Sequence, residues 1–475
     1  MTAGAADLRG LLRAVLGPAG LLTQAAEVAP YLVDHRRLYQ GAALAVALPR
    51  SVAEVSQVLA LCDAHRVGVV PHGGNTGYCG GATPDASGRQ LVVALARLNR
   101  IRSVDPANDS LVAEAGCTLA QVQAAAAQAE RFFPLSLGSE GSCQLGGNLS
   151  TNAGGTSVLR YGMARDLVLG LEVVLADGRL LGLLSALRKD NTGYDVKSLF
   201  MGAEGTLGII TAASVKLYPT IRDRATALIA VPDMHAAVAL LARVRSASSD
   251  RVSSFELIPR TALQLVLRHI PGTADPLGNP YPWYVLCELS GSAATDALQG
   301  VLQECLGGAL AQGLILDAAL ASSGREREAL WKIRGSIPEA QRREGPGMKH
   351  DIAVPVGRLA DFMAAAVAWV EQNVPEGQLI AYGHAGDGNL HFNLSAVNAA
   401  AAPALVARTQ IVRRAIHDLV ARFGGSFSAE HGIGALKVDE LERYTSPVEL
   451  SLMRAIKQAL DPHNTMNPGK VLRLP

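Results

Sequence analysis

The sequence lacks any uninterrupted apolar stretch of the roughly 18 residues that would cross a bilayer, so a membrane-spanning chain is not expected. Its opening residues carry Asp7 and no basic cluster followed by an apolar run. No secretory signal is read there, and a cytoplasmic site is the default expectation. Charge of one sign is also missing: 43 Lys and Arg stand against 42 Asp and Glu. No global field favours nucleic acid or an anionic membrane, so electrostatic recognition must be local. The six cysteines (Cys62, Cys79, Cys117, Cys143, Cys287, Cys305) form no CxxC pair and no iron–sulfur ligand pattern. They read as reduced thiols. No repeat with a period of roughly 20–50 residues is visible, which excludes a solenoid or propeller.

What is present is a long, apolar-rich and glycine-rich chain. With 475 residues, 49% of them hydrophobic, it is too long for one ordinary core and suggests two or three domains. Glycine, at 48 residues, exceeds the average usage of roughly 7% and is gathered into clusters. From about residue 42 to 219, helix-like stretches such as 51–64 alternate with short β-branched runs such as 67–70, the pattern of an α+β or α/β domain. Between about 220 and 381 the clusters thin out. Amphipathic segments at 234–246 and 356–370 there alternate with a strand-like run at 284–289, reading as a second domain. Motif density returns at 382–394, 428–436 and 461–471, which are expected to line the site.

Pro71-His72-Gly73-Gly74-Asn75-Thr76-Gly77 begins where the strand-like run 67–70 would end. Successive small residues there expose backbone N–H groups that suit a diphosphate, although an ordinary glycine turn accounts for the same residues. GxGxxG is absent and no Gly-Lys-Ser/Thr follows, so the usual nucleotide loops do not fit. Gly138, Gly146-Gly147-Asn148, Thr151-Asn152-Ala153-Gly154-Gly155 and Arg160-Tyr161-Gly162 form a second cluster. A third, Lys189-Asp190-Asn191-Thr192-Gly193-Tyr194-Asp195, leads to Gly202-Ala203-Glu204-Gly205-Thr206-Leu207-Gly208-Ile209-Ile210, read as a loop feeding a buried strand.

Near the C-terminus, Tyr382-Gly383-His384-Ala385-Gly386-Asp387-Gly388-Asn389-Leu390-His391-Phe392-Asn393 sets two histidines around three glycines. A tight turn entering a strand near His391 would let both imidazoles converge. Ala429-Glu430-His431-Gly432-Ile433-Gly434 adds a carboxylate and a third imidazole. Two imidazoles and one carboxylate suit Zn²⁺ or a similar ion with positions left open. Satisfied structural histidines are the plain alternative.

In order and identity these motifs resemble the FAD-binding oxidoreductases of the vanillyl-alcohol oxidase type, from about residue 42 to the C-terminus. Residues 188–194 and 348–355 look most like the branch of D-2-hydroxyglutarate and D-lactate dehydrogenases. The resemblance implies an α+β fold: a two-subdomain FAD-binding domain, an α+β substrate (cap) domain, and a C-terminal tail returning to the flavin. The boundaries expected are 1–41 for an N-terminal helical segment, 42–219 for FAD, 220–434 for substrate and metal, and 435–475 for the tail. It further implies flavin contacts at Gly73, Gly74, Asn75, Thr76, Gly77, Gly138, Ser142, Gly147, Asn148, Thr151, Gly155, Gly208 and Ile210. Some relatives tether FAD through a histidine directly after the paired glycines; here that position is Asn75, so FAD is expected to be noncovalent. His72 precedes the glycines and reads as a packing or hydrogen-bonding residue.

By the same resemblance His384, His391 and Glu430 match divalent-metal ligands and His431 matches the catalytic base, with a supporting role beside the metal as the alternative for His431. Arg334 and Lys349 match substrate cations and Asn393 a further polar contact. A guanidinium forks onto a planar carboxylate, whereas an ammonium acts as a point charge. Two cations beyond the metal favour a dicarboxylate, because lactate would leave one buried and unpaired. The family pattern has a threonine four residues after the arginine where this chain has Pro338; nearby Ser336 is a substitute hydroxyl. The expected activity is FAD- and metal-dependent oxidation of D-2-hydroxyglutarate, and of D-malate, to the 2-oxo acid by hydride transfer to flavin N5. A D-lactate dehydrogenase or glycolate-oxidase-type subunit is the alternative, and a nonenzymatic flavin-fold subunit is disfavoured by the presence of all four site residues. The resemblance also implies an electron-transfer flavoprotein or a quinone as acceptor, and a homodimer.

Overall fold

The computed structural model describes residues 3–294 and 297–474. The chain divides into two compact units, one of 1–155, 162–220 and 430–475, the other of 156–161 and 221–429.

The first unit holds two larger sheets and a two-stranded pairing of Arg131–Phe132 with Tyr218–Pro219. In the smaller of the two larger sheets, Ala45–Ala47 and Val69–His72 both pair parallel to Leu91–Ala94. The helix Val52–Ala64 supplies the crossover; it starts at Ser51, whose hydroxyl accepts from Glu54 N, satisfying an otherwise orphaned N–H. Leu8, Leu12, Val55, Leu59, Val69 and Leu91 share its core. The second sheet is antiparallel, with Ser110–Glu114, Ile209–Lys216 and Val168–Val174 at its centre and Ile101–Asp105 and Leu180–Leu183 at its edges. Every residue of Val168–Val174 is buried, and its sequence is apolar rather than alternating except at Glu172, whose carboxylate accepts from Arg102 at 2.9 Å. Two α+β subdomains result, as the family resemblance implies. The C-terminal segment re-enters this unit: Met466 bridges Val69, with Val69 N donating to Thr465 O and Asn467 N to Val69 O.

The second unit also has two sheets. Trp283–Gly291 lies between Val252–Pro259 and Asp223–Val231, with Asp317–Leu320 outside the latter, all antiparallel. Helices Met234–Ala247 and Leu359–Asn373 lie where the apolar periodicity puts them, and both bury one face in a shared core with Phe255, Val285 and Phe392. In the other sheet Asn389–Ala396 pairs with Gly347–Met348, Asp351–Ala353 and Gly377–Tyr382. That sheet carries the histidine motif.

Candidate active site

In the first unit a cavity of about 990 Å³, counting its open mouth, is walled by the glycine motifs. Gly73, Gly74, Asn75, Thr76 and Gly77 form one side, directly after the strand Val69–His72. A Cβ on Gly74 would stand 2.0 Å from the Ser142 carbonyl oxygen, so this close approach of two backbone segments admits only glycine. Asn75 takes φ +53° and its side-chain amide donates to Val33 O at 2.9 Å. Gly147, Asn148 and Thr151 also line the cavity, on and just after the helix Leu145–Ser150. Gly208 and Ile210 complete it, Gly208 packed so that a Cβ would meet Val174 O at 2.9 Å.

Three expected flavin positions stand off the cavity lining. Ser142 braces Gly74 from behind. Gly155 N donates to Glu430 Oε2 at 3.1 Å. A Cβ on Gly138 would meet nothing within 4 Å. Among the lining residues, His72 Nε2 and Gln144 Oε1 are buried without a hydrogen-bond partner among the described residues. A polar ligand would relieve that cost. Burial pushes the His72 imidazole down to about 4, only partly offset by a hydrogen bond with the Gly73 backbone. A cavity lined by glycines and holding two orphaned polar atoms fits FAD.

His431 also lies in the wall of this cavity. Its Nε2 is 3.8 Å from Glu430 Oε1, and its ring meets Tyr78 edge-on at 4.7 Å between centroids. Burial raises the Tyr78 phenol, and the Glu430 charge adds to the effect. The segment following His431 is held by Glu204, a buried carboxylate whose oxygens accept from Ile433 N at 2.7 Å and Gly434 N at 2.9 Å. Burial raises its pKa, outweighing those two hydrogen bonds and the charges of Lys437 and Lys470. Gly432 and Gly434 take φ +74° and +52°; a Cβ on Gly434 would stand 2.1 Å from Cys79 O. Glu204 was visible in the sequence only as part of a glycine-rich loop.

In the second unit, Gly383 and Gly388 take φ +123° and +83°, making the tight turn that leads His384 into the strand bearing His391. The two rings lie 5.5 Å apart, centroid to centroid. His384 Nδ1 is 2.8 Å from Glu256 Oε1, and the other oxygen of Glu256 accepts from Arg334 Nε at 2.6 Å. All three residues are buried. Desolvation, the largest influence on Glu256, would raise its pKa; the charges of Arg334 and then His384 outweigh it and hold the carboxyl at about 2. The Arg334 guanidinium also stacks over Tyr382, 5.1 Å from the ring centre.

Asp351 faces His391 across the strand pair, and ligand-type atoms of the two lie within 4.8 Å of each other. Asp351 and Glu256 were not singled out from sequence. An imidazole whose Nδ1 meets a carboxylate, with a further imidazole and carboxylate close by, is chemistry that fits a divalent ion. Asn393 is buried, with Oδ1 accepting from His350 N and Nδ2 donating to Gln341 Oε1 at 3.0 Å. Lys349 is exposed between the buried Met348 and His350. Pro338 sits in the first turn of the helix Ile337–Glu344, where its missing N–H has no intrahelical partner to lose, and Ser336 is half-buried just before it.

Residues 43–183 match the family model described as "FAD binding domain", and residues 220–471 match "FAD linked oxidases, C-terminal domain". The chain belongs to the FAD-linked oxidases. Relatives within this family extend along almost all of it. A Bos taurus protein named "D-2-hydroxyglutarate dehydrogenase, mitochondrial" is 38% identical over 98% of this chain and 83% of its own length. A Xanthomonas citri pv. viticola protein named "D-2-hydroxyglutarate dehydrogenase" is 37% identical over 95% of this chain and 94% of its own. Among solved structures, p-cresol methylhydroxylase with substrate bound has a TM-score of 0.78 at 17% identity, covering 100% of this chain and 98% of its own. It shares the fold. As an FAD-linked oxidase, the chain carries its FAD-binding domain where the glycine cradle lies. Among the described residues no helix is long and apolar enough to cross a membrane.

Proposed function

We propose that this chain oxidises D-2-hydroxyglutarate, and D-malate more weakly, to the 2-oxo acid. That it is an FAD-dependent hydroxyacid dehydrogenase follows from its family and from relatives matching nearly its whole length. The single observation carrying the mechanism is His431: an imidazole fixed in the wall of the glycine cradle, beside a carboxylate, by a segment with little freedom to move. Bound FAD would supply the two-electron oxidant, its N5 taking the C2 hydrogen as hydride. His431 takes the C2 hydroxyl proton on a ring nitrogen. His384, His391 and Glu430 are the proposed metal ligands, and a divalent ion such as Zn²⁺ would supply Lewis acidity that makes that hydroxyl easier to deprotonate. Arg334 and Lys349 hold the distal carboxylate and Asn393 adds a polar contact. FAD is held noncovalently, since Asn75 offers an amide where a tether would stand. The acceptor is an electron-transfer flavoprotein or a quinone, the assembly a homodimer and the location cytoplasmic; several relatives carry "mitochondrial" in their names, and cell fractionation decides the last point.

One observation favours a second reading. The charge of Arg334 is already balanced by Glu256, which makes a monocarboxylate such as D-lactate less costly to accept there. Anaerobic mixing separates the two: D-2-hydroxyglutarate should bleach the flavin faster than D-malate, and both faster than D-lactate. Bleaching by D-lactate at an equal or greater rate overturns the diacid. Dialysis against a chelator should lower turnover with the flavin spectrum intact, and full activity after exhaustive metal removal removes the ion from the scheme.

A further inference from the structure

We propose that Glu256 is a positioning residue which, with one carboxylate, fixes both the guanidinium of Arg334 and the tautomer of His384. The inference rests on the reading of Arg334 as substrate cation and His384 as metal ligand. Glu256 lies in the strand Val252–Pro259, all of whose residues are buried. Its backbone has little latitude: Leu257 N donates to Gly383 O at 2.7 Å, Gly383 N to Leu257 O at 3.0 Å, and Gly386 N to Phe255 O at 3.1 Å. The strand is thereby locked to the turn that carries His384. A side chain at 383 would be strained at the φ of +123°, and its Cβ would crowd the His391 ring at 3.1 Å.

The donor and acceptor types then decide the rest. An ionised carboxylate only accepts, so in the neutral ring the proton of His384 sits on Nδ1, 2.8 Å from Oε1, and the lone pair sits on Nε2, where a metal would bind. Arg334 Nε–H donates to Oε2 at 2.6 Å, orienting the guanidinium. Glu256→Gln separates the two duties. An arginine N–H cannot accept, so the amide oxygen must stay on Arg334 and the amide NH₂ must turn to His384. Nδ1 then has to accept, and the ring proton moves to Nε2. The substitution keeps the guanidinium in place and removes the metal-binding lone pair.

Nitrogen-15 NMR of histidine-labelled, metal-free protein, with the His384 signals assigned from His384→Gln, reads the tautomer directly. Nδ1–H is expected in the wild type and Nε2–H in Glu256→Gln. Zn²⁺ affinity measured by equilibrium dialysis should fall about 10–100-fold in Glu256→Gln, with flavin content unchanged and KM for D-2-hydroxyglutarate moving less than Zn²⁺ affinity. Wild-type His384 protonated on Nε2 overturns the proposal, and that measurement stands even if the variant does not fold. Wild-type Zn²⁺ affinity in Glu256→Gln overturns it too. Should His384→Gln itself bind Zn²⁺ as the wild type does, it is the ligand reading that fails, and the tautomer measurement still judges Glu256 separately.

Discussion

The two units build their sites from different materials. The cradle of the first is made of backbone: glycines at 73, 74 and 77 line it, and close packing leaves room at Gly74 for no side chain. The cluster of the second is made of side chains, a carboxylate bridging a guanidinium and an imidazole in a buried setting. A backbone site has no side-chain charge of its own to strand and is intolerant of a single added carbon. A side-chain site is the reverse, since its cost lies in charges left without partners. Gly74→Ala is the sharpest test of the first half and carries the largest expected effect. Its Cβ would stand 2.0 Å from Ser142 O and 2.9 Å from Cys143 Cα, both main-chain atoms that cannot swing aside. The variant should purify colourless or nearly so, read as the ratio of visible to ultraviolet absorbance. A normal flavin complement would mean the cradle is looser than its geometry states.

Arg334→Ala tests the second half. It leaves Glu256 buried beside His384 without its main counter-charge, and breaking a buried pair in this way costs about 3–5 kcal/mol. Denaturant unfolding should register that loss, and activity on the diacid should fall further than on D-lactate. Arg334→Leu combined with Glu256→Leu should cost less than the sum of the two single changes, because each single change strands a charge and the double change strands neither. Strict additivity would separate the two residues energetically and equal losses on both acids would make Arg334 structural.

The same contrast explains what was legible in the sequence. A backbone site leaves its mark because only glycine satisfies it; the run after 67–70 and the turn around His384 are therefore readable from composition and order alone. The helix Val52–Ala64 and the strand Trp283–Gly291 are legible for a similar local reason, through a helix-like stretch and a short strand-like apolar run. Glu256 is not. It stands in an otherwise ordinary strand, 128 positions from His384, and only the pairing of Leu257 with Gly383 brings them together. A signal did exist, an acidic residue between Phe255 and Leu257 in a run otherwise fit for a core, which requires a buried partner. It does not say which one. Asp351 was hidden the same way, since its relation to His391 is a matter of strand register. Glu204 lay inside a quoted motif, but its role depends on Ile433 and Gly434, over two hundred positions away.

The smallest expected effect tests the one titratable side chain at the start of the backbone cradle. His72 is buried and its imidazole is held down at about 4, against 6.5 in the unfolded chain. Between those values the unfolded chain binds a proton that the folded chain does not, so acidification favours unfolding; the stability is fully present above pH 6.5 and is lost as pH falls toward 4. The linkage amounts to about 2 kcal/mol between pH 7 and pH 5. His72→Gln, which cannot titrate, should be less sensitive to pH by about that amount when urea midpoints are compared at the two values. Equal pH dependence in the two proteins would mean that His72 accepts its proton in the folded state, and that its end of the cradle is not desolvated.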